Sequence, residues 1–206
     1  MLPPLVRPLN WRASGFDWQP GTDHLYGVDN GRNWLGDDFP PDEVNDIVSG
    51  GFYGWPYLNG DNEPDPDLGG QAGDRAAAAI PPAYRLSAHV APLSITFLRN
   101  AESWAHGITA LVTEHGSSTR SEKNGYRVAT LVWQNRKIIE KPFLTGFLQG
   151  SEVIGRPVDL IEDKSGTVFI SDDFNGVIWR VKIEEALRGK NDSHGEGCQG
   201  RRHQKG

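Results

Sequence analysis

Hydrophobic residues along the chain fall into short runs, many alternating with polar residues and bounded by Gly, Asn or Asp. Alternation with a period of two is typical of β-strands with one buried face. The pattern predicts ten strands, at 14–19, 24–29, 43–48, 93–98, 108–114, 126–133, 137–143, 158–162, 167–171 and 176–182. Turn-forming residues at 19–23, 135–136 and 163–166 predict hairpins between neighbouring strands. An all-β fold is the predicted class.

A weak internal repeat supports this class. Three segments, 25–31, 110–116 and 168–173, each run from apolar residues into an acid followed by a polar residue. The 58 positions between Glu114 and Asp172 fit one four-stranded propeller blade with its loops. The 85 positions between Asp29 and Glu114 are longer, and we assign the excess at 57–83 to an insertion. About three blades fit the chain, too few to close a ring.

Composition narrows the choice of partners. The 25 Gly, 14 Pro and 7 Trp suit strands and turns better than helices. A net charge of −6 argues against nucleic-acid binding, which needs Lys and Arg to neutralise phosphates. Cys198 is the sole cysteine and forms no disulfide within the chain. No segment has the length and hydrophobicity of a membrane span or of a signal peptide.

An acidic, glycine-containing loop is the densest cluster of candidate chemistry. Five carboxylates lie within fifteen residues: Asp29, Asp37, Asp38, Asp42 and Glu43. Such oxygen donors, with free backbone carbonyls, are what Ca²⁺ prefers. The spacing is not that of an EF-hand, and a solvated acidic loop is the alternative interpretation.

Longer motifs resemble the glucose/sorbosone dehydrogenase family, particularly its sorbosone dehydrogenase-like branch. They are residues 29–45, then Gly-Gly-Phe-Tyr-Gly-Trp-Pro at 50–56, and further stretches at 113–127 and 146–159. The resemblance covers about residues 15–182. It implies a six-bladed β-propeller that binds pyrroloquinoline quinone (PQQ) over its central channel beside a Ca²⁺ ion. The implied reaction is oxidation of an aldose or a sugar aldehyde, with electrons passing to an external acceptor.

The resemblance also implies particular site residues. Lys123 and Arg156 fall where the family binds its cofactor, and Arg120 and Arg32 are further candidates. The backbone carbonyls of Gly31 and Arg32 match ligands of the cofactor calcium, although many members have Pro in place of Arg32. A second, structural calcium site matches Asp42, Glu43 and the carbonyl of Tyr53. Turn formation by the acidic pair is the other interpretation of that motif.

The family's catalytic histidine lies in an earlier blade and has no counterpart here. His115 is the remaining candidate for a base, while His89, just before Ala91-Pro92, is interpreted as a packing or loop residue. We therefore expect the C-terminal part of such an enzyme, inactive alone. Residues 1–12 do not match the family, residues 13–185 form the partial propeller, and residues 186–206 form a disordered polar tail. Family members are commonly periplasmic or secreted.

Two other functions remain open. The acidic loops also suit a non-enzymatic, calcium-stabilised propeller that binds a sugar or a protein. A propeller lactonase or phosphoesterase would instead hold calcium by carboxylates and Asn at the centre of its channel, with Asp29 essential.

Overall fold

The computed structural model describes residues 13–100, 108–135 and 137–182. The predicted N-terminal segment at 1–12, the predicted tail at 186–206 and Arg136 lie outside these residues. Within the described ranges, no helix is long and apolar enough to cross a membrane.

The described residues are mainly β-strands, as predicted. In chain order the strands are Ala13–Trp18 (β1), Leu25–Asp29 (β2), Pro41–Ile47 (β3), Leu58–Asn59 (β4), Glu63–Pro64 (β5), Tyr84–Ala88 (β6), Pro92–Phe97 (β7), Ile108–Glu114 (β8), Arg127–Gln134 (β9), Lys137–Leu144 (β10), Leu148–Gln149 (β11), Glu152–Val153 (β12), Pro157–Glu162 (β13), Thr167–Asp172 (β14) and Val177–Lys182 (β15). Short 3₁₀ helices occupy Gly69–Gln71 and Gly73–Ala78.

The strands form three antiparallel sheets and two small hairpins. Sheet one has the order β1-β2-β3-β6, sheet two β7-β8-β9-β10, and sheet three β13-β14-β15. The hairpins are β4-β5 and β11-β12. Apart from the step from β3 to β6, neighbouring strands in the three sheets follow one another along the chain, so each sheet is a meander.

All ten predicted strands are confirmed, with ends shifted by a few residues at most. The strand β6 was not predicted, because only Leu86 and Ala88 are buried in it and it follows the Pro81-Pro82 pair. The insertion predicted at 57–83 is confirmed as a break between β3 and β6 that holds the β4-β5 hairpin and the 3₁₀ helices.

Sheet two lies between the other two, and its central strands β8 and β9 are buried on both faces. Ala110 and Val112 of β8 pack in one hydrophobic cluster with Tyr26 and Val28 of sheet one. Leu111 points the opposite way and packs with Ile170 and other residues of sheet three. Alternate residues of one strand thus serve two cores.

The first strands of the three sheets lie side by side. The guanidinium of Arg99, just after β7, donates to Asp17 of β1 at 2.8 and 2.9 Å. On the other side, Ser94 of β7 donates to Asp159 of β13 at 2.6 Å. Together β1, β7 and β13 line one open cavity of 750 Å³.

Candidate functional site

The predicted repeat is the second strand of each sheet. Strands β2, β8 and β14 hold this position, and each ends in a buried acid: Asp29, Glu114 and Asp172, respectively. The same position in each of the three sheets therefore holds a carboxylate that is buried from water. Each one needs a compensating partner, because burial disfavours the ionised form.

Glu114 and Asp172 are compensated by donors from neighbouring strands and loops. Glu114 lies opposite Arg127 in the neighbouring strand and accepts two hydrogen bonds from its guanidinium, at 2.8 and 3.0 Å. Burial would raise the pKa of Asp172, but donors that include the Arg156 backbone N–H, the Asn175 amide and the Trp179 indole lower it below its usual range.

The acid of sheet one lies opposite another acid. Asp29 is the cross-strand partner of Glu43, and like charges in this arrangement repel each other. Glu43 accepts from the Gly60 N–H at 2.9 Å and the Asn45 amide at 3.1 Å, both neutral donors. Burial, together with the charge of Asp29, raises the pKa of Glu43 to about 7.

A cavity of 10 Å³ adjoins this acid pair. It is lined by Asp29, Asn30, Gly31, Pro41, Glu43, Tyr53, Trp55, Leu58 and Asn59. The phenol of Tyr53 donates to the carbonyl of Asp46 at 2.8 Å and accepts from Val48 at 2.7 Å, so its ring is fixed. The space is about that of one ion or one water molecule.

No group of three or more His, Cys, Asp or Glu side chains is placed for a metal ion in the described ranges. A calcium ion beside Asp29 and Glu43 would therefore need backbone or amide oxygens as well. Both oxygens of Asp42 are engaged with backbone amides, those of Gly31 and Ala91, each at 2.7 Å. Burial raises the pKa of Asp42 to about 6. This geometry gives Asp42 the role of tying the loop after β2 to the start of β7.

A larger cavity, of 330 Å³, adjoins Asp42 and shares Asn30 and Gly31 with the smaller one. Its lining comes from the start of β1, the loops after β2 and β8, and the segment before β7: Ser14, Asn30, Gly31, Asn33, Asp42, His89, Ala91, Gly116 and Ser118. Gly116 has φ +102°, and a Cβ there would lie 2.5 Å from the Tyr126 ring. Only glycine fits at this position.

Arg156 borders this region. Its Nε donates to the carbonyl of His115 at 3.1 Å and its terminal nitrogen to that of Gly116 at 2.9 Å. The guanidinium also lies 5.5 Å from the centre of the Tyr126 ring. Lys123 is exposed, and its ammonium donates to the carbonyl of Ser151 at 2.7 Å. Lys123 and Arg156 thus join the same two segments, the loop after β8 and the chain leading into β13.

The other two predicted cofactor cations are held by acidic residues of the loops. Arg32 pairs with Asp65 at 2.6 Å and with Asp67, and these hydrogen bonds raise its pKa. Arg120 donates to the carbonyl of Asp37 and, at 3.1 Å, to the carboxylate of Asp38. Both guanidiniums hold loops together.

The predicted cluster of Asp29–Arg32, Glu114–Lys123 and Arg156 is brought together only in part. Gly31 and Gly116 line the larger cavity, with Arg156 beside them, whereas Glu114 points into sheet two towards Arg127. The role of each residue stays a prediction.

The histidines of this region are both hydrogen-bonded. His115 Nε2 lies 2.9 Å from Asp173. His89 Nε2 lies 2.8 and 3.1 Å from the carbonyls of Gly36 and Phe39, so this nitrogen carries the hydrogen. His89 also lines the larger cavity, which its sequence context did not indicate. Its φ of +62°, unusual for a residue other than glycine, has no signal in the sequence.

Several known proteins are similar to this chain. An uncharacterised protein of Borreliella burgdorferi is 38% identical over 177 residues, which cover 83% of this chain and 46% of that protein. A Trichoderma reesei protein of carbohydrate-active enzyme family AA12 superposes in its iodide structure with a TM-score of 0.63 and 23% identity, over 81% of this chain and 51% of its own. Its calcium structure gives 0.59 and 24%, over 81% and 50%.

The PQQ domain of a Coprinopsis cinerea pyranose dehydrogenase superposes with a TM-score of 0.56 and 17% identity, over 82% of this chain and 53% of its own. At these identities the structural similarity concerns the fold. The chain spans about half the length of each of these relatives.

The sequence also matches the profile of one protein family. The TrAA12-like profile matches residues 70–184. This range contains β6, sheet two, sheet three and the segments that hold Lys123, Gly116 and Arg156. Because the match covers more than half of the chain, the protein belongs to the TrAA12-like family.

Proposed function

We propose that this chain forms the C-terminal part of a PQQ- and calcium-dependent oxidoreductase that oxidises an aldose or a sugar aldehyde and passes the electrons to an external acceptor. Its three sheets are three blades of a six-bladed propeller. One observation carries the proposal. Arg156 reaches from the start of β13 to the carbonyls of His115 and Gly116 beside a cavity that Gly31 also lines.

Similar proteins support the cofactors by their descriptions. The Coprinopsis domain is described as a PQQ domain in its holo form, and the Trichoderma protein has a calcium structure. The sorbosone branch rests on the sequence motifs alone.

The acid pair of sheet one fits a calcium ion. Asp29 and Glu43 are adjacent like charges with a space of ion size between neighbouring oxygen donors. A divalent cation would remove their repulsion, as Arg127 does for Glu114 in sheet two. Glu43 and the backbone carbonyls of Tyr53 and Asn59 would hold this ion. The backbone carbonyls of Gly31 and Arg32 would hold a separate calcium ion beside the cofactor.

Two of the four candidate cations, Lys123 and Arg156, are suited to bind a tricarboxylate such as PQQ. The Lys123 ammonium and the Arg156 guanidinium donate to backbone carbonyls, and among the described residues neither forms an ion pair with a carboxylate. Both would bind the carboxylates of PQQ by charge-assisted hydrogen bonds. When bound beside calcium, PQQ supplies the hydride acceptor of the oxidation.

Removal of the substrate proton is not assigned to this chain. In the described ranges, His24 and His115 face Asp46 and Asp173, and His89 is held by two carbonyls. The resemblance puts the base in a blade upstream of these motifs. This chain would bind and orient the cofactor from one side of the channel.

Titration of the chain with PQQ in calcium buffer, followed by the change in PQQ absorbance, tests the proposal. We expect saturable binding, weakened roughly 10-fold or more by Arg156→Ala, because one charge-assisted hydrogen bond is worth about 1.5–3 kcal/mol. Lys123→Ala should also weaken it. Lys164→Ala, which removes an exposed lysine from the hairpin at the far end of β13, is the matched control. Equal affinities for Arg156→Ala and Lys164→Ala would contradict the assignment.

A calcium-stabilised binding module is the second candidate. Arg32 and Arg120 favour it, because aspartates of the loops already neutralise both guanidiniums. A module of this kind has no use for PQQ. The same titration separates the two functions, since no saturable change in absorbance is expected for the module.

A further inference from the structure

Trp34 has the most exposed large hydrophobic side chain in the part of the chain that the structure describes, at 81% exposure. It lies in the loop between β2 and β3, where Leu35 and Phe39 are partly buried. Trp34 also has a φ of +72°, which is strained for a bulky residue. The loop therefore keeps its largest apolar side chain in water at a cost in backbone strain, which indicates a role in binding.

Contacts from two other segments fix the loop at residues 33–39, here called the rim loop. His89 Nε2 donates to two carbonyls of this loop, at 2.8 and 3.1 Å. From the loop after β8, the Ser121 N–H donates to the carboxylate of Asp37 at 3.0 Å, and Arg120 donates to the carbonyl of Asp37. The exposed indole is therefore held in place before any ligand arrives, and such preorganisation lowers the entropic cost of binding.

The rim loop adjoins the larger cavity, because Asn33 is part of the lining of that cavity. Asn30 and Ser118 line it as well, so amides and a hydroxyl face the space. The lining contains two ionisable side chains, Asp42 and His89, and both already bond to backbone groups. Neutral groups that donate and accept hydrogen bonds suit a ligand with several hydroxyls.

The cations near the rim loop are already paired. Arg32 pairs with Asp65, and Arg120 pairs with Asp38. The cations proposed to bind the carboxylates of PQQ, Lys123 and Arg156, lie instead in the loop after β8 and at the start of β13. A neutral ligand therefore matches the rim loop better than a tricarboxylate does.

An exposed indole beside amides and hydroxyls has the chemistry of a sugar site. One face of a pyranose ring presents C–H groups, and these pack on the flat apolar surface of an indole. The ring hydroxyls point outwards from this face and bond to side-chain amides and hydroxyls. An open-chain sugar or polyol has no flat C–H face.

We propose that Trp34 and Asn33 bind the sugar substrate, and that they take it as a closed pyranose ring rather than as an open chain. This inference rests on the proposed function, because it names the form in which that enzyme takes its substrate. The Trp34 indole packs on the C–H face of the ring, and the Asn33 amide bonds to the ring hydroxyls. Trp34 is then a specificity-determining residue.

Methyl β-D-glucopyranoside, whose ring cannot open, is the probe that tests this site. Its dissociation constant is measured by saturation-transfer difference NMR in calcium buffer, with and without saturating PQQ. We expect saturable binding, weakened roughly 10-fold or more by Trp34→Ala and no more than roughly 3-fold by Trp34→Phe, which keeps an aromatic face. Trp18→Ala removes a 48% exposed tryptophan of β1 that does not line the larger cavity, and this matched control should bind as wild type does.

Sorbitol, an open-chain polyol, should show no saturable binding. The proposal is overturned if the glucoside binds wild type in neither condition, if sorbitol binds equally well, or if Trp34→Ala and Trp18→Ala have equal affinities. If Trp34→Ala weakens PQQ and leaves the glucoside unaffected, the indole stacks on the cofactor and the sugar assignment is wrong. The PQQ titration contains no sugar, so failure of this inference is distinct from failure of the proposed function.

Discussion

Two cross-strand pairs at equivalent positions show how single residues set the chemistry of this molecule. In sheet two the pair is Glu114 and Arg127, and it is neutralised internally. In sheet one the pair is Asp29 and Glu43, and both members are acids. The same backbone position is structural in one sheet and a candidate cation site in the other.

Calcium removal should lower the melting temperature of the wild-type chain. An ion that binds only the native state stabilises it by about 2.7 kcal/mol at 100 times its Kd, which is roughly 5–10 °C for a chain of this length. Glu43→Gln should largely abolish the response to chelator in differential scanning fluorimetry. Glu63→Gln, an exposed acid of β5, should keep it. Identical melting curves for wild type with and without chelator would show that no calcium ion stabilises the acidic loop.

The calcium-free protein should lose stability as the pH rises. Burial raises the pKa of Glu43 from 4.5 to about 7, so between these values the folded state holds a proton that the unfolded state has lost. Stability from this group is complete below about pH 4.5 and is lost towards pH 7, a difference of at most about 3 kcal/mol. Urea unfolding with chelator at about pH 5 and about pH 7.5 measures it. If the free energy of unfolding of Glu43→Gln changed with pH as much as that of wild type, Glu43 would not be the cause of the pH dependence.

At the scale of elements, the short hydrophobic runs predicted the longer strands, including β10 and β15, which contain no buried residue. They did not predict β6, which follows a proline pair and buries few residues. They also did not predict the hairpins β4-β5 and β11-β12, whose strands are only two residues long. The motifs predicted Gly31, Lys123 and Arg156 as site residues; Gly31 lines the larger cavity and Arg156 lies beside it, and their roles stay predictions. The engagement of Arg32 and Arg120 with aspartates, and the place of His89, depend on contacts between distant loops. Local sequence carries no signal for such contacts.

Arg127 joins three strands of sheet two and should be important for its stability. It pairs with the fully buried Glu114 of β8 and with Glu140 of β10. Arg127→Ala leaves a buried carboxylate without its cation and should lower the free energy of unfolding by about 2–4 kcal/mol. Arg85→Ala breaks an exposed pair with Asp61 and should cost less than about 1 kcal/mol. Equal losses for the two variants in urea unfolding would argue against a buried ion pair.

At the scale of the whole molecule, three sheets place their first strands side by side and their connecting loops around one cavity. In the proposed function, this arrangement would supply cations that bind the cofactor, and a calcium site, from one side of a channel. The resemblance puts the catalytic histidine in a blade upstream of these motifs. Cofactor binding and proton abstraction are therefore assigned to different parts of the proposed enzyme.

Dye-linked oxidation of glucose or sorbosone by the chain, saturated with PQQ and Ca²⁺, tests this division most directly. The account predicts that PQQ binds while dye reduction stays at background, because acid–base assistance alone is typically worth about 10²–10⁴-fold in rate. PQQ-dependent turnover by the chain alone would contradict it. Loss of that turnover in His115→Ala would then identify His115 as the base.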